Sequence, residues 1–195
     1  MPSRPRKNAV TAAVTKPDFA ALLSKAKLPE SIVQVCLRGD LAADFEVADK
    51  ALTEAQKRPS TGKEDAGITL LIERVEQIQA EMRESTYPFR MRAMDRPAFR
   101  ALMADHPPRR DPETGDPDPD DAQVGFDRTA FFDALLRAAT VDPVLDDAGW
   151  ADLLPKLTDR QYGDLTDAAW FVNRSEVSVP FSLAASRARR PSADE

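Results

Sequence analysis

Between Leu41 and Met82 two sets of apolar residues recur at alternating spacings of three and four, and this spacing limits the fold more than any other feature of the chain. Leu41, Phe45, Ala48, Leu52 and Ala55 form the first set, and Ile68, Leu71, Val75, Ile78 and Met82 the second. Each is the apolar seam of a helix that packs lengthwise on another helix. Between them, "RPSTGKEDAG" interrupts the pattern with Pro59, Gly62 and Gly67. Two helices of about 17 residues, each about 25 Å long, are therefore expected to zip together as an antiparallel hairpin. Asp40 is placed to cap the first of them. The same spacing serves a seam closed within one chain or between two, so a homo-oligomer stays open as a partner.

A run of strand character lies on each side of the helical pair. "SIVQVCLR" precedes it, and "TYPFRMRA" follows, with Tyr87, Phe89, Met91 and Ala93 on one face and Arg90 and Arg92 on the other. A lone strand leaves its backbone N–H and C=O groups without partners. An up-and-back hairpin brings the two runs side by side, so they are expected to form a two-stranded antiparallel ribbon at its base. Pro88, which has no N–H, should then face outward, as on an edge strand. Such a ribbon is marginal alone and needs helices packed on it.

Those helices are expected from the second half. Asp95 can cap "RPAFRALMADH", Thr129 or Asp127 can cap "AFFDALLRAAT", Asp146 or Asp147 precedes "AGWADLLPKL", and Thr158 precedes "DRQYGDLTDAAWFVNR". Asp142-Pro143 is expected to end the second of these helices. In the last one Leu165, Ala168, Ala169 and Val172 form an apolar stripe. The expected fold is mainly α: a helical hairpin closed by a two-stranded ribbon, followed by a small bundle of short helices. By region this gives a disordered basic arm over 1–16, a helix plus ribbon and hairpin over 17–94, and a helical region over 95–182. A flexible acidic loop over 107–125 interrupts that region, and a polar tail follows over 183–195. A short helix starting at Pro17, with Thr15 near its cap, would carry Phe19, Leu22, Leu23 and Ala26 on one face. In the tail, Phe181 and Leu183 are the strong apolar anchors.

At 42% hydrophobic and 31% charged residues, the composition is that of a soluble protein. No apolar run approaches the ~20 residues that span a bilayer, and the first residues lack the apolar middle of a secretory signal. The expected location is a cytoplasm, with no membrane partner. A formal net charge of −6 argues against a general nucleic-acid binder. The basic ends, Arg4, Arg6 and Lys7 in front and Arg187, Arg189 and Arg190 behind, read as solvated tails.

No pattern of catalytic or cofactor-binding chemistry emerges. Asp116, Asp118, Asp120 and Asp127 fall at the first, third, fifth and twelfth places of a calcium loop, but Asp121 stands where the tight turn wants glycine and Pro117 and Pro119 stiffen it. "STGKED" ends like a phosphate loop, yet Lys57 occupies the place of its first glycine. His106, the single histidine, reads as a cap on the last carbonyls of its helix. Cys36, the single cysteine, excludes an internal disulfide and reads as a small buried residue. No catalytic, cofactor or metal residue is assigned.

The succession "LPESIVQVCLRGDL", a helical pair, "TYPFRMRAMDRPAFRALMADHPPR", "GFDRTAFFDALLRAATVDP", "LTDRQYGDLTDAAWFVNR" and "VSVPFSLAAS", spanning about residues 28 to 186, resembles tail assembly chaperones of long-tailed phages that infect actinobacteria. The resemblance implies a non-enzymatic protein of the host cytoplasm that is absent from the finished virion. It implies that the chain binds the tape-measure protein, the long apolar helical ruler of the tail, and keeps it soluble while tail-tube subunits polymerise around it. In such families a longer product often arises by frameshifting near the end of the reading frame. Separate helical blocks with a flexible joint suit the wrapping of such a client. The expected contact surface is the hairpin seam with the aromatics Phe131, Phe132, Trp150, Trp170 and Phe171. Alternatives are a minor tail or connector protein retained in the virion, a nucleic-acid-associated protein that uses the basic ends, and, with only undirected carboxylates behind it, an enzyme.

Overall fold

The computed structural model describes residues 18–57 and 64–177. The expected basic arm, the Thr15 cap, most of the break between the seam helices, and the tail with Phe181 and Leu183 lie outside them. In chain order the elements are α1 (Phe19–Leu23), β1 (Glu30–Cys36), α2 (Asp40–Gln56), α3 (Glu64–Glu84), β2 (Thr86–Arg92) and α4 (Arg96–Asp105). Then come α5 (Pro119–Val124), α6 (Arg128–Ala139), β3 (Thr140–Asp142), α7 (Asp147–Leu153) with a following single 3-10 turn, and α8 (Asp159–Arg174). The described chain is thus rich in helix around one small antiparallel sheet of three strands.

Strand β1 pairs β2 over its whole length, from Glu30 opposite Arg92 to Cys36 opposite Thr86. The expected two-stranded ribbon gains a third member, because β3 pairs the other side of β2 at Arg90 and Met91. Pro88 therefore sits in the central strand and not in an edge strand, but beyond the short ladder that β3 makes. The third strand arises where the sequence reading continued α6. Helix α6 stops at Ala139, Thr140 turns extended, and its hydroxyl donates to the Leu136 carbonyl at 2.6 Å. Thr140 and Val141 are β-branched and Pro143 disfavours a helical residue before it, so this segment prefers a strand once one is available to pair.

Alternation sends Val33, Val35, Phe89 and Met91 to the inner face of the sheet. There they meet Leu136, Trp150, Leu165 and Val172 from the later helices. The sheet and the C-terminal helices hence share one core, and the boundary expected near residue 94 runs through it. Helix α8 is the spine of this half. Its N-terminus is a capping box between Thr158 and Gln161, and the Gln161 amide donates to the Cys36 carbonyl at 2.8 Å. Near its other end, the Asn173 side-chain oxygen accepts the Met94 N–H at 2.7 Å. Helix and sheet are thereby tied at both ends of α8.

Helices α2 and α3 pack on each other through Leu41, Ala48, Val75 and Ile78, with Phe45, Leu52 and Met82 half-buried beside them. The seam spacing places these residues as expected. The cap differs: Gly39 is the N-cap without a side-chain bond, and Asp40 lies inside the helix, where it pairs with Arg38 at 2.7 Å. Helix α3 begins at Glu64, so Gly67 belongs to the helix and not to the break. Helix α1 is capped by Asp18 and is shorter than expected, and its apolar residues are exposed.

Candidate partner-binding surfaces

The five aromatics proposed as a contact surface separate once the helices are packed. Phe131 is 0% exposed and Trp150 3%, so both are core residues and cannot meet a partner. Phe132 and Trp170 are half-buried around a second core cluster of Phe126, Phe131, Leu135, Ala139 and Ala169. Phe171, at 58% exposure, alone presents most of its ring to solvent. Helical geometry explains the split. Phe131, Leu135 and Ala139 recur every four residues on the buried side of α6, while Phe132 is turned about 100° from Phe131. On α8, Leu165, Ala169 and Val172 point inward and Phe171 falls off that stripe. Two cations close over the indoles, Arg137 5.5 Å from the Trp150 ring centre and Arg174 4.6 Å from that of Trp170.

Apolar surface is instead offered by residues that the sequence reading did not single out as contacts. Phe19, Leu22 and Leu23 on α1, with Leu28 after it, make one group. Val47 on α2 and Leu70 and Ile72 on α3 lie off the seam and are exposed. Ile32 faces outward from β1, and Val177 is exposed beyond α8 near Phe171. Periodicity carried the signal for most of them: Val47, Leu70 and Ile72 break the three-four spacing, and Ile32 alternates against Val33 and Val35.

The acidic segment over 107–125, expected as a loop, is not a loop throughout. It contains α5, and Arg110 bridges to Pro117 across a short turn. Asp121 has a fully buried side chain that accepts the Arg109 Nε at 2.7 Å and Nη2 at 3.1 Å, together with the backbone N–H groups of Arg109 and Arg128. Asp118 and Asp127 cap α5 and α6, so two carboxylates of the calcium-loop count serve helix ends. Among the described residues, no group of three or more His, Cys, Asp or Glu side chains converges as metal ligands do. His106 meets the Leu102 carbonyl at 2.8 Å through Nδ1, a contact at the end of α4 as its position suggests. Cys36 is half-buried, and its thiol points to the Met82 carbonyl at 3.6 Å.

The Arg109 guanidinium and two backbone N–H groups hold the Asp121 carboxyl well below the usual carboxylate range, against the opposing effect of burial. A group with a depressed folded pKa stabilises the fold above its unfolded value and loses that contribution as the pH falls. The melting temperature is thus expected to change little above about pH 5 and to drop below about pH 4. In Asp121→Asn the drop should be shallower, because this carboxyl no longer titrates. Thermal melts of both chains between neutral and acid pH check this, and parallel curves would contradict it.

Compared with family models, curated proteins and solved structures, the chain matches none.

Proposed function

We propose that this chain is a phage tail assembly chaperone that binds the tape-measure protein and keeps it soluble while the tail tube assembles. The observation that supports this reading is the distribution of exposed apolar residues over five separate elements, α1, β1, α2, α3 and the end of α8. Behind them, no buried side-chain nitrogen or oxygen among the described residues lacks a hydrogen-bond partner. A long apolar helical client is well held by several weak patches, because linked contacts add avidity without making any one of them tight. In this reading α2 and α3 act as an antiparallel hairpin closed at its base by the strands, with the shorter helices as a bundle behind it. The complex forms in the host cytoplasm, tail-tube subunits displace the chaperone, and the finished virion lacks it.

Co-expression of the tagged chain with the tape-measure protein of the same phage tests this. The client is expected to become soluble only with its partner and to co-elute with it. The double variant Phe19→Asp and Leu23→Asp, together with Phe171→Ala, should reduce the recovered client severalfold, while each change moves stability by no more than about 0.5 kcal/mol because the sites are exposed. A client that stays insoluble while this chain elutes alone would overturn the reading. Abundant copies of the chain in purified virions would favour a minor tail or connector protein instead.

A further inference from the structure

A second kind of surface lies between α4 and the end of α8. There an open groove of roughly 770 Å³ is lined by Arg96, Arg100 and Arg174, with Phe99 and Met103 along its apolar side. In a chain with a net charge of −6, three cations on one groove are a local reversal of sign. Six other arginines of the described chain are paired with carboxylates, whereas these three, like Arg74, Arg83, Arg110 and Arg128, are not, and only here do three such cations line one groove with apolar side chains between them. Nearby Asp95 is already engaged, since its carboxylate accepts the Ala98 N–H at the start of α4.

From this we infer that the groove binds an acidic, amphipathic helical segment of a partner protein. Arg96 and Arg100 are one helical turn apart on α4, so their guanidiniums match two carboxylates that are themselves one turn apart. Phe99 and Met103 have the same spacing on the neighbouring ridge, and they offer an apolar seat for a side chain between those carboxylates. Arg174 stands on the opposite wall, and its position over the Trp170 ring limits its freedom before binding. A guanidinium already held in place loses less entropy when it meets a carboxylate and can do so through two parallel N–H bonds. A nucleic acid fits less well. The Trp170 face on which a base would stack is covered by Arg174, and the apolar side of the groove has no phosphate to meet. The inference does not rest on the chaperone reading, because no residue lining the groove belongs to the exposed apolar groups described above.

The test is fluorescence anisotropy of the full chain with a dye-labelled synthetic helical peptide that carries two Glu one turn apart around a Leu. The controls are the same peptide with Gln for Glu and a single-stranded oligonucleotide of comparable charge. Saturable binding is expected to weaken about tenfold or more for the Gln peptide and for the variant Arg96→Glu with Arg100→Glu. A milder variant, Arg96→Ala with Arg100→Ala, should also weaken binding while keeping the wild-type melting temperature, so that misfolding is distinguished from loss of the surface. Several outcomes would overturn the inference: no saturable binding of the Glu peptide, equal binding of the Gln peptide, wild-type affinity in both arginine variants, or tighter binding of the oligonucleotide. Release of a self-associated dimer by the peptide would also overturn it, by assigning the groove to a second copy of this chain.

Discussion

Phe131→Ala is expected to remove about 3–5 kcal/mol of stability, enough to unfold much of the C-terminal half at moderate temperature. The ring is fully buried and meets Phe99, His106, Phe126, Phe132 and Trp170 at centroid distances between 4.3 and 6.3 Å. Most of those contacts are edge-to-face, so the surrounding rings cannot close over the void without losing their own geometry. The cavity therefore persists and adds its cost to the lost transfer energy. Chemical denaturation followed by tryptophan fluorescence reads this directly, because Trp170 borders the site. A change below about 1 kcal/mol would mean that the cluster is loose enough to be a contact surface after all.

Ile78→Asp is expected to act more locally and at least as strongly. Ile78 is 1% exposed at the seam of α2 and α3, and its cluster contains only residues of those two helices. A carboxylate there has no cation to pair with inside the seam, and burying it uncompensated costs several kcal/mol. The helical pair should separate and lose its helix content, since neither helix is stable in water without its packed face. Trp150 and Trp170 belong to the other two clusters, so their fluorescence should stay native. Far-ultraviolet circular dichroism with tryptophan emission on one sample distinguishes the outcomes. Loss of both signals together would show that the pair and the sheet-bearing half fold as one unit.

Local features transferred from sequence to structure where the deciding forces are themselves local. The three-four spacing located the residues that α2 and α3 bury, and alternation in 86–93 turned Phe89 and Met91 inward. Asp95, Asp127, Asp146 and Thr158 cap the helices they precede, because a side-chain oxygen needs only the next few N–H groups.

The contact surface was harder to read, because an aromatic residue on a helix is core or interface depending on what packs against it. Phe131 and Trp150 became core when α4, α8 and the sheet closed over them. The acidic segment likewise looked like a mobile linker, since composition counts its carboxylates without seeing that Arg109 folds back on Asp121 from twelve residues away. By itself, then, the sequence determined the seams, most strand faces, and most helix positions and caps, all set by chemistry within a few residues. Only the tertiary structure decided the third strand, the shared core, the burial of Asp121 and the cationic groove. Each of these depends on groups that are distant in the chain and meet only when the elements pack.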